Sequence, residues 1–174
     1  MNKHFAKEIA KLSPEMLVRF ADFQSYNWWH LQGNWMQQIS VRYGTEVAKE
    51  FDSLIWERSG KVQAWKLKEL FDLKGDMEGL VKALSLSTVF SNVEYEFPEI
   101  TEKKVRLMVT KCTMQLNRRK GNLPELPCKE PGLIAVEGFA QAYNPKIKAK
   151  CLFCPPDAHC DNQWCHWEFI LEDD

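Results

Sequence analysis

The chain lacks a surplus of charge of either sign: 23 Lys and Arg stand against 24 Asp and Glu, a net charge of -1. That balance removes the general attraction that draws a protein to nucleic acid or an anionic membrane, so binding to either would need a local patch. A long uncharged apolar run is also missing, and no segment reads as a membrane span. The opening residues, MNKHFAKEIAKLSPEM, lack an apolar core followed by a small-residue cleavage site and do not read as a secretory leader. Repeats, low-complexity segments and disordered linkers are absent too. The expectation is a cytoplasmic protein with neither a nucleic-acid nor a membrane partner. At 174 residues its core is large enough to need no disulfide staples.

What is present in abundance is sulfur in one place. CLFCPPDAHCDNQWCHWEF, from Cys151 to Phe169, holds four of the six cysteines and two of the four histidines. In a reducing compartment stable disulfides are rare, so such a cluster reads as metal ligands or catalytic thiols.

The first half is helical in pattern. Ser13-Pro14-Glu15 has the cap, the first-turn proline and the acidic residue of a helix start. Met16, Phe20, Phe23, Trp28, Leu31, Trp35 and Ile39 then recur at helical spacing up to Tyr43-Gly44, with Gly33 a candidate kink. Thr45 is placed to cap a second long helix carrying Val47, Phe51, Leu54, Ile55, Val62, Trp65 and Leu70, and Gly75-Asp76 opens a short third one. Five of the seven tryptophans lie in this half, and such aromatic stripes pack helices together, within one core or between the subunits of a homodimer.

After residue 86 the period becomes two. NVEYEFPEI alternates, KKVRLMVTKCTMQL reads as a central strand, and PGLIAVEGFAQAYNP reads as a helix between prolines. KIKAKCLF and WCHWEFIL alternate again. The reading is an α+β fold: a helical hairpin or bundle over 1–86, then a region over 87–174 whose four-stranded, mainly antiparallel sheet carries a crossing helix (β-β-α-β-β), the two forming one compact unit.

If the last two strands form a hairpin, Cys151 and Cys165 project from one face and Cys154 lies in the turn. Cys-x-x-Cys spacing directs two thiolates at one ion, and Pro155-Pro156 stiffens the turn. Cys128, in a proline-flanked loop before the helix, is the leading candidate for the fourth ligand; Cys112, Cys160, His159 and His166 are alternatives. Four thiolates suit zinc, although the same ligands also accept an iron-sulfur cluster. The run Arg118-Arg119-Lys120-Gly121 reads as a solvated strand end or turn, and holds the first side chains to test if the ligand is an acid.

The segments NWMQQISVRYGTEVAKEFDSLIWERSGKVQAWKLKELFDL, CTMQLNRRKGNLPELPC and CLFCPPDAHCDNQWCHWEF resemble a family of bacterial and archaeal cytosolic proteins without a defined activity. The C-terminal half also resembles the vinyl-reductase-type ligand-binding domain of bacteriochlorophyll synthesis proteins and phenol-responsive transcription activators. That domain binds zinc through a cysteine before a G…YA helix, an E-x-x-C and a cysteine ahead of the last strand. Cys128 before GLIAVEGFAQAY, Cys154 and Cys165 match this pattern; Cys151 replaces the glutamate, and the turn before Cys165 is longer. The resemblance implies a sensor or binding module in which zinc braces a pocket for a small apolar or amphipathic molecule. Its lining would be drawn from Trp35, Tyr95, Leu107, Val109 and Phe139. A second resemblance, to aminothiazoline-carboxylate hydrolases, implies a small-molecule hydrolase with Cys112 or Cys160 as nucleophile, His159 as base and Asp157 orienting it. No oxyanion-stabilising loop is visible, so the weight falls on binding rather than catalysis.

Overall fold

The computed structural model describes residues 2–173. Among them are helices α1 (Lys3–Ile9), α2 (Pro14–Tyr43), α3 (Thr45–Leu70) and α4 (Met77–Leu86), then strands β1 (Val93–Ile100) and β2 (Lys104–Cys112). Helices α5 (Thr113–Lys120) and α6 (Lys129–Tyr143) and strands β3 (Ile147–Phe153) and β4 (Cys165–Leu171) follow. The fold is α+β.

Local chemistry sets the helix starts. Asn2 accepts from the amides of His4 and Phe5, Ser13 from Met16, and Asp76 from Gly79, each satisfying amides that the helix itself leaves free. Thr45 is not a cap: it is the first residue of α3, and its hydroxyl meets Ser40 Oγ at 3.2 Å. Gly44 makes the whole connection at φ 93°, ψ 159°, a backbone region open chiefly to glycine. Gly33 does not interrupt α2, which runs unbroken for 30 residues.

The sheet order is β1-β2-β4-β3, with every neighbouring pair antiparallel. The alternation seen in sequence therefore sorts residues between faces: Val105, Leu107, Val109, Trp167, Phe169 and Ile147 are buried on the inner face. There they form one core with Leu80 and Leu84 of α4 and Val136, Phe139 and Tyr143 of α6. On the outer face Arg106 bonds Glu168 at 2.8 Å and Glu99 at 3.4 Å. Helix α3 packs on α6 and α2 packs on α3, so α2 forms the outermost layer.

One element differs from expectation. The strand read through CTMQL stops at Cys112, and Thr113–Lys120 turn into α5. Arg118, Arg119 and Lys120 are the last turn of that helix, where positive charge complements the dipole, and Gly121 follows. No helix among the described residues is long and apolar enough to cross a membrane.

Candidate functional site

Five cysteines lie at or near the ends of four elements. Cys112 closes β2, Cys128 precedes α6, Cys151 lies near the end of β3, Cys154 follows β3, and Cys165 begins β4. Cys151 pairs with Trp167 and Cys165 with Val109, so Cys151 and Cys165 share the inner face. The register then slips between Cys151 and Phe153, and the Phe153 ring meets His166 edge-on. All six cysteines are free thiols.

Their surroundings are ordered by hydrogen bonds. Gln115 on α5, almost fully buried, accepts from the Leu126 amide at 3.0 Å. Its Nε2 donates to the Leu126 carbonyl at 2.9 Å and to Cys128 Sγ at 3.3 Å. Trp167 Nε1 donates to Cys165 Sγ at 3.3 Å. The amide of Lys129 donates to the Pro155 carbonyl at 2.9 Å, and its ammonium bonds Asp157 at 2.7 Å. The start of α6 is thereby tied to the β3–β4 connection.

The sulfurs feel one another. Hydrogen bonds with Cys151 and Cys165, and then burial, push the Cys154 thiol far up. Cys151 moves down because Cys154 bonds to it, with Lys129 adding a smaller pull. Burial, and then the nearby Cys112 and Cys165, push Cys128 up to about 12. Burial raises Cys112 as well. Among the described residues no three His, Cys, Asp or Glu side chains converge closely enough to hold a metal ion as they stand.

Next to the sulfurs sits a charged clasp. His159 Nε2 meets Glu125 Oε2 at 3.0 Å and its Nδ1 meets the Cys160 carbonyl at 3.0 Å. Arg119 bonds Glu125 and Asp161 at 2.6 and 2.7 Å and lies 4.4 Å over the ring of buried Trp164. Glu125 therefore orients His159, whereas Asp157, expected in that role, is held by Lys129. Both nitrogens of His159 are occupied by oxygen acceptors, and neither meets a thiol. Cys160 is exposed.

Of the basic run, Arg118 donates to the Pro124 carbonyl at 2.7 Å and Arg119 is neutralised in the clasp. These arginines hold the 121–128 loop. His166 is half-buried on the outer face, and its Nε2 has no partner.

Leu107, Val109 and Phe139 are fully buried in the inner core, and Tyr95 packs against it from β1, touching Phe90 and Phe97. Trp35 stands apart on α2, against Phe51 of α3. Two surface clefts lie elsewhere: about 280 Å³ beside Leu12, Met16 and Phe20, and about 660 Å³ beside Asp76, Ile100 and Glu102. Sequence reasoning missed Gln115 and Glu125. For the first, the signal was the basic last turn followed by glycine, which marks a helix end.

These features define an α+β domain in which hydrogen bonds of Lys129 and Gln115 tie the start of α6 to its neighbouring loops, with cysteines at the ends of β2, β3 and β4. The chain belongs to DUF6125, a family of unknown function, which it matches over residues 10–171. Its fold is similar to the crystal structure of the phenol-responsive sensory domain of the transcription activator PoxR with phenol. That likeness has a TM-score of 0.56 and 14% identity, covering 80% of this chain and 72% of that one. A trafficking protein particle complex subunit 3 from Naegleria fowleri, covalently bound to palmitic acid, is similar at a TM-score of 0.49 and 8% identity, over 90% of this chain and 97% of that one. No curated protein matches the sequence.

Proposed function

We propose that the chain is a binding module for a small apolar or amphipathic molecule, built around a structural zinc site of Cys128, Cys151, Cys154 and Cys165. The observation that carries this reading is Cys154: buried, it shares hydrogen bonds with Cys151 and Cys165 and feels the charge of Cys128. Thiols are soft donors, and a tetrahedral ion with bonds of about 2.3 Å would draw these side chains closer and replace their hydrogens. The ion would neutralise thiolates that burial otherwise disfavours. It would brace the junction that Lys129, Pro155 and Gln115 already tie together.

The sensory domain with the similar fold was solved with phenol, which supports a small aromatic as the class to try first. The inner core around Leu107, Val109, Phe139 and Tyr95 is the place proposed for it. Those side chains fill the space between sheet and α6, so a guest must displace them, and a compact one needs the least displacement.

Metal content and visible absorbance of anaerobically purified protein test the metal half, with Cys154→Ser as comparison. About one zinc per chain, colourless and lost in the variant, is expected for a single four-thiolate site. Iron with sulfide and a brown colour would replace zinc by a cluster, and no metal in either protein would remove the site. Titration with phenol tests the ligand half. Saturable binding that Phe139→Trp abolishes is expected, and binding unchanged by that substitution would move the pocket elsewhere.

A further inference from the structure

Helix α2 has no buried residue along its 30 positions. It runs roughly 45 Å along the outside of the molecule. Its less exposed row, Ser25, Trp29, Gln32, Met36 and Ile39, alternates steps of four and three and faces the rest of the molecule; Ser25 bonds Ser91 at 2.7 Å, Trp29 lies against Trp56, and Gln32 bonds Asp52 at 2.7 Å. A second row one position earlier, Trp28, Leu31 and Trp35, repeats the same steps and points away from that seam, with Leu31 68% exposed. On α3 the exposed row Phe51, Ile55, Val62 and Trp65 follows the same period, interrupted by Arg58, and Trp65 is 56% exposed. Trp35 and Phe51 join the two rows, their rings edge-on at 6.2 Å.

We propose that this face of the α2–α3 hairpin is a homodimer interface, on which a second copy completes a four-helix bundle. Two helices whose seams keep a 3.5-residue period fit the shallow crossing of such bundles, and a hairpin supplies half of one. At about 200 Å² for a large apolar side chain, the exposed fractions of these seven residues come to roughly 700 Å² per copy. A standard interface buries about 800 Å² on each side, while the largest apolar patch on a monomer is usually smaller.

Charge favours a second copy over other occupants. From Phe23 to Val41 α2 has no Asp, Glu, Lys or Arg, and Trp28 and Trp35 of that stretch lie on the proposed face with Trp65 and Phe51 of α3. Charge depletion with aromatic enrichment is the composition of an interface core. The α2 half of the face therefore meets its own copy without like-charge repulsion, and Arg58 is the single charge within the two rows. The same stretch lacks the basic residues that hold an amphipathic helix on anionic lipid.

Light scattering coupled to size exclusion tests the proposal on the full chain at micromolar concentration. The expected mass is twice the 20.4 kDa of one chain, falling to 20.4 kDa in Leu31→Glu and in Ile55→Glu, with helix content by circular dichroism unchanged. Val41→Glu, at a residue more exposed than either but off both rows, should leave the mass doubled. A parent that runs as a single chain overturns the proposal, whether or not it floats with anionic vesicles. So does a dimer that survives both row substitutions, or one that Val41→Glu alone dissociates. Should a row variant lose helix, the parent's mass and the other variant decide.

Discussion

A methyl group on Gly60 would stand 2.7 Å from the carbonyl oxygen of Ala135, so α3 and α6 meet backbone to side at that point. The obstacle is main chain and cannot rotate away. Gly60→Ala would gain up to about 1 kcal/mol of helix propensity, yet forcing the two helices apart costs about 1–3 kcal/mol, and the steric loss should win. Gly33 is the control: a methyl there meets nothing within 4 Å, so Gly33→Ala should stabilise the protein. Urea unfolding of the two variants should move the midpoint in opposite directions, and a stabilised Gly60→Ala would contradict the close approach.

That contact lay beyond the reach of the sequence, as did most pairings between distant residues. Periodicity was legible: the alternation in KIKAKCLF and WCHWEFIL places Ile147, Ala149, Trp167 and Phe169 inward, as the structure has them. The cap at Ser13 and the helix start at Gly75-Asp76 were legible because capping is local chemistry, whereas Thr45, read as a cap, is already inside α3. Helix α5 was hidden because eight residues are too few to show an apolar period, and Cys112 continues the strand pattern up to its first turn. The partner of His159 is 34 residues away, and only the fold could choose Glu125 over the nearer Asp157.

Gln115 stitches the 121–128 loop to α5 with three hydrogen bonds from an almost fully buried side chain. Gln115→Met keeps the volume but strands the amide of Leu126, whose carbonyl keeps the Cys128 amide as donor. A buried group left without a partner costs about 1–3 kcal/mol, so thermal unfolding should show a loss of at least that size. Because Cys128 is held from the same amide, its labelling by a thiol reagent should also quicken. A variant as stable as the parent, with Cys128 still protected, would remove Gln115 from this role.

The clasp around His159 gives a pH dependence with a definite sign. Both ring nitrogens face oxygen acceptors, and the side chain is only 5% exposed. Burial works against its proton, but the Cys160 carbonyl and Glu125 outweigh it, and its pKa lies above the ordinary value. Glu125 is held low by its bonds to His159 and Arg119. The histidine contribution is then complete below about pH 6.5 and is lost as pH rises through its raised pKa. The Glu125 contribution is present above about pH 4.5 and is lost as pH falls through its lowered pKa. The Tm difference between parent and His159→Asn should be largest on the mildly acidic side of neutrality and shrink toward alkaline pH. A difference that grows there would mean the ring is neutral in the folded protein.

The six thiols should react in an order that also reports on metal. Cys160 is exposed and should take iodoacetamide first. Burial keeps Cys128 protonated and out of reach of the reagent, so it should be slow at pH 8. Cys151 is half-buried but lowered by the Cys154 hydrogen, which makes it second in metal-free protein. A bound zinc would change that one place in the order, since a coordinated thiolate gives up much of its charge to the ion and is walled in by its partners. Peptide mapping of zinc-loaded protein should find Cys160 labelled and Cys151 silent, with chelation restoring Cys151 while Cys128 stays slow. Equal labelling of Cys151 before and after chelation would exclude it from the site without disturbing the fold, because the bonds of Lys129 and Gln115 hold that corner by themselves.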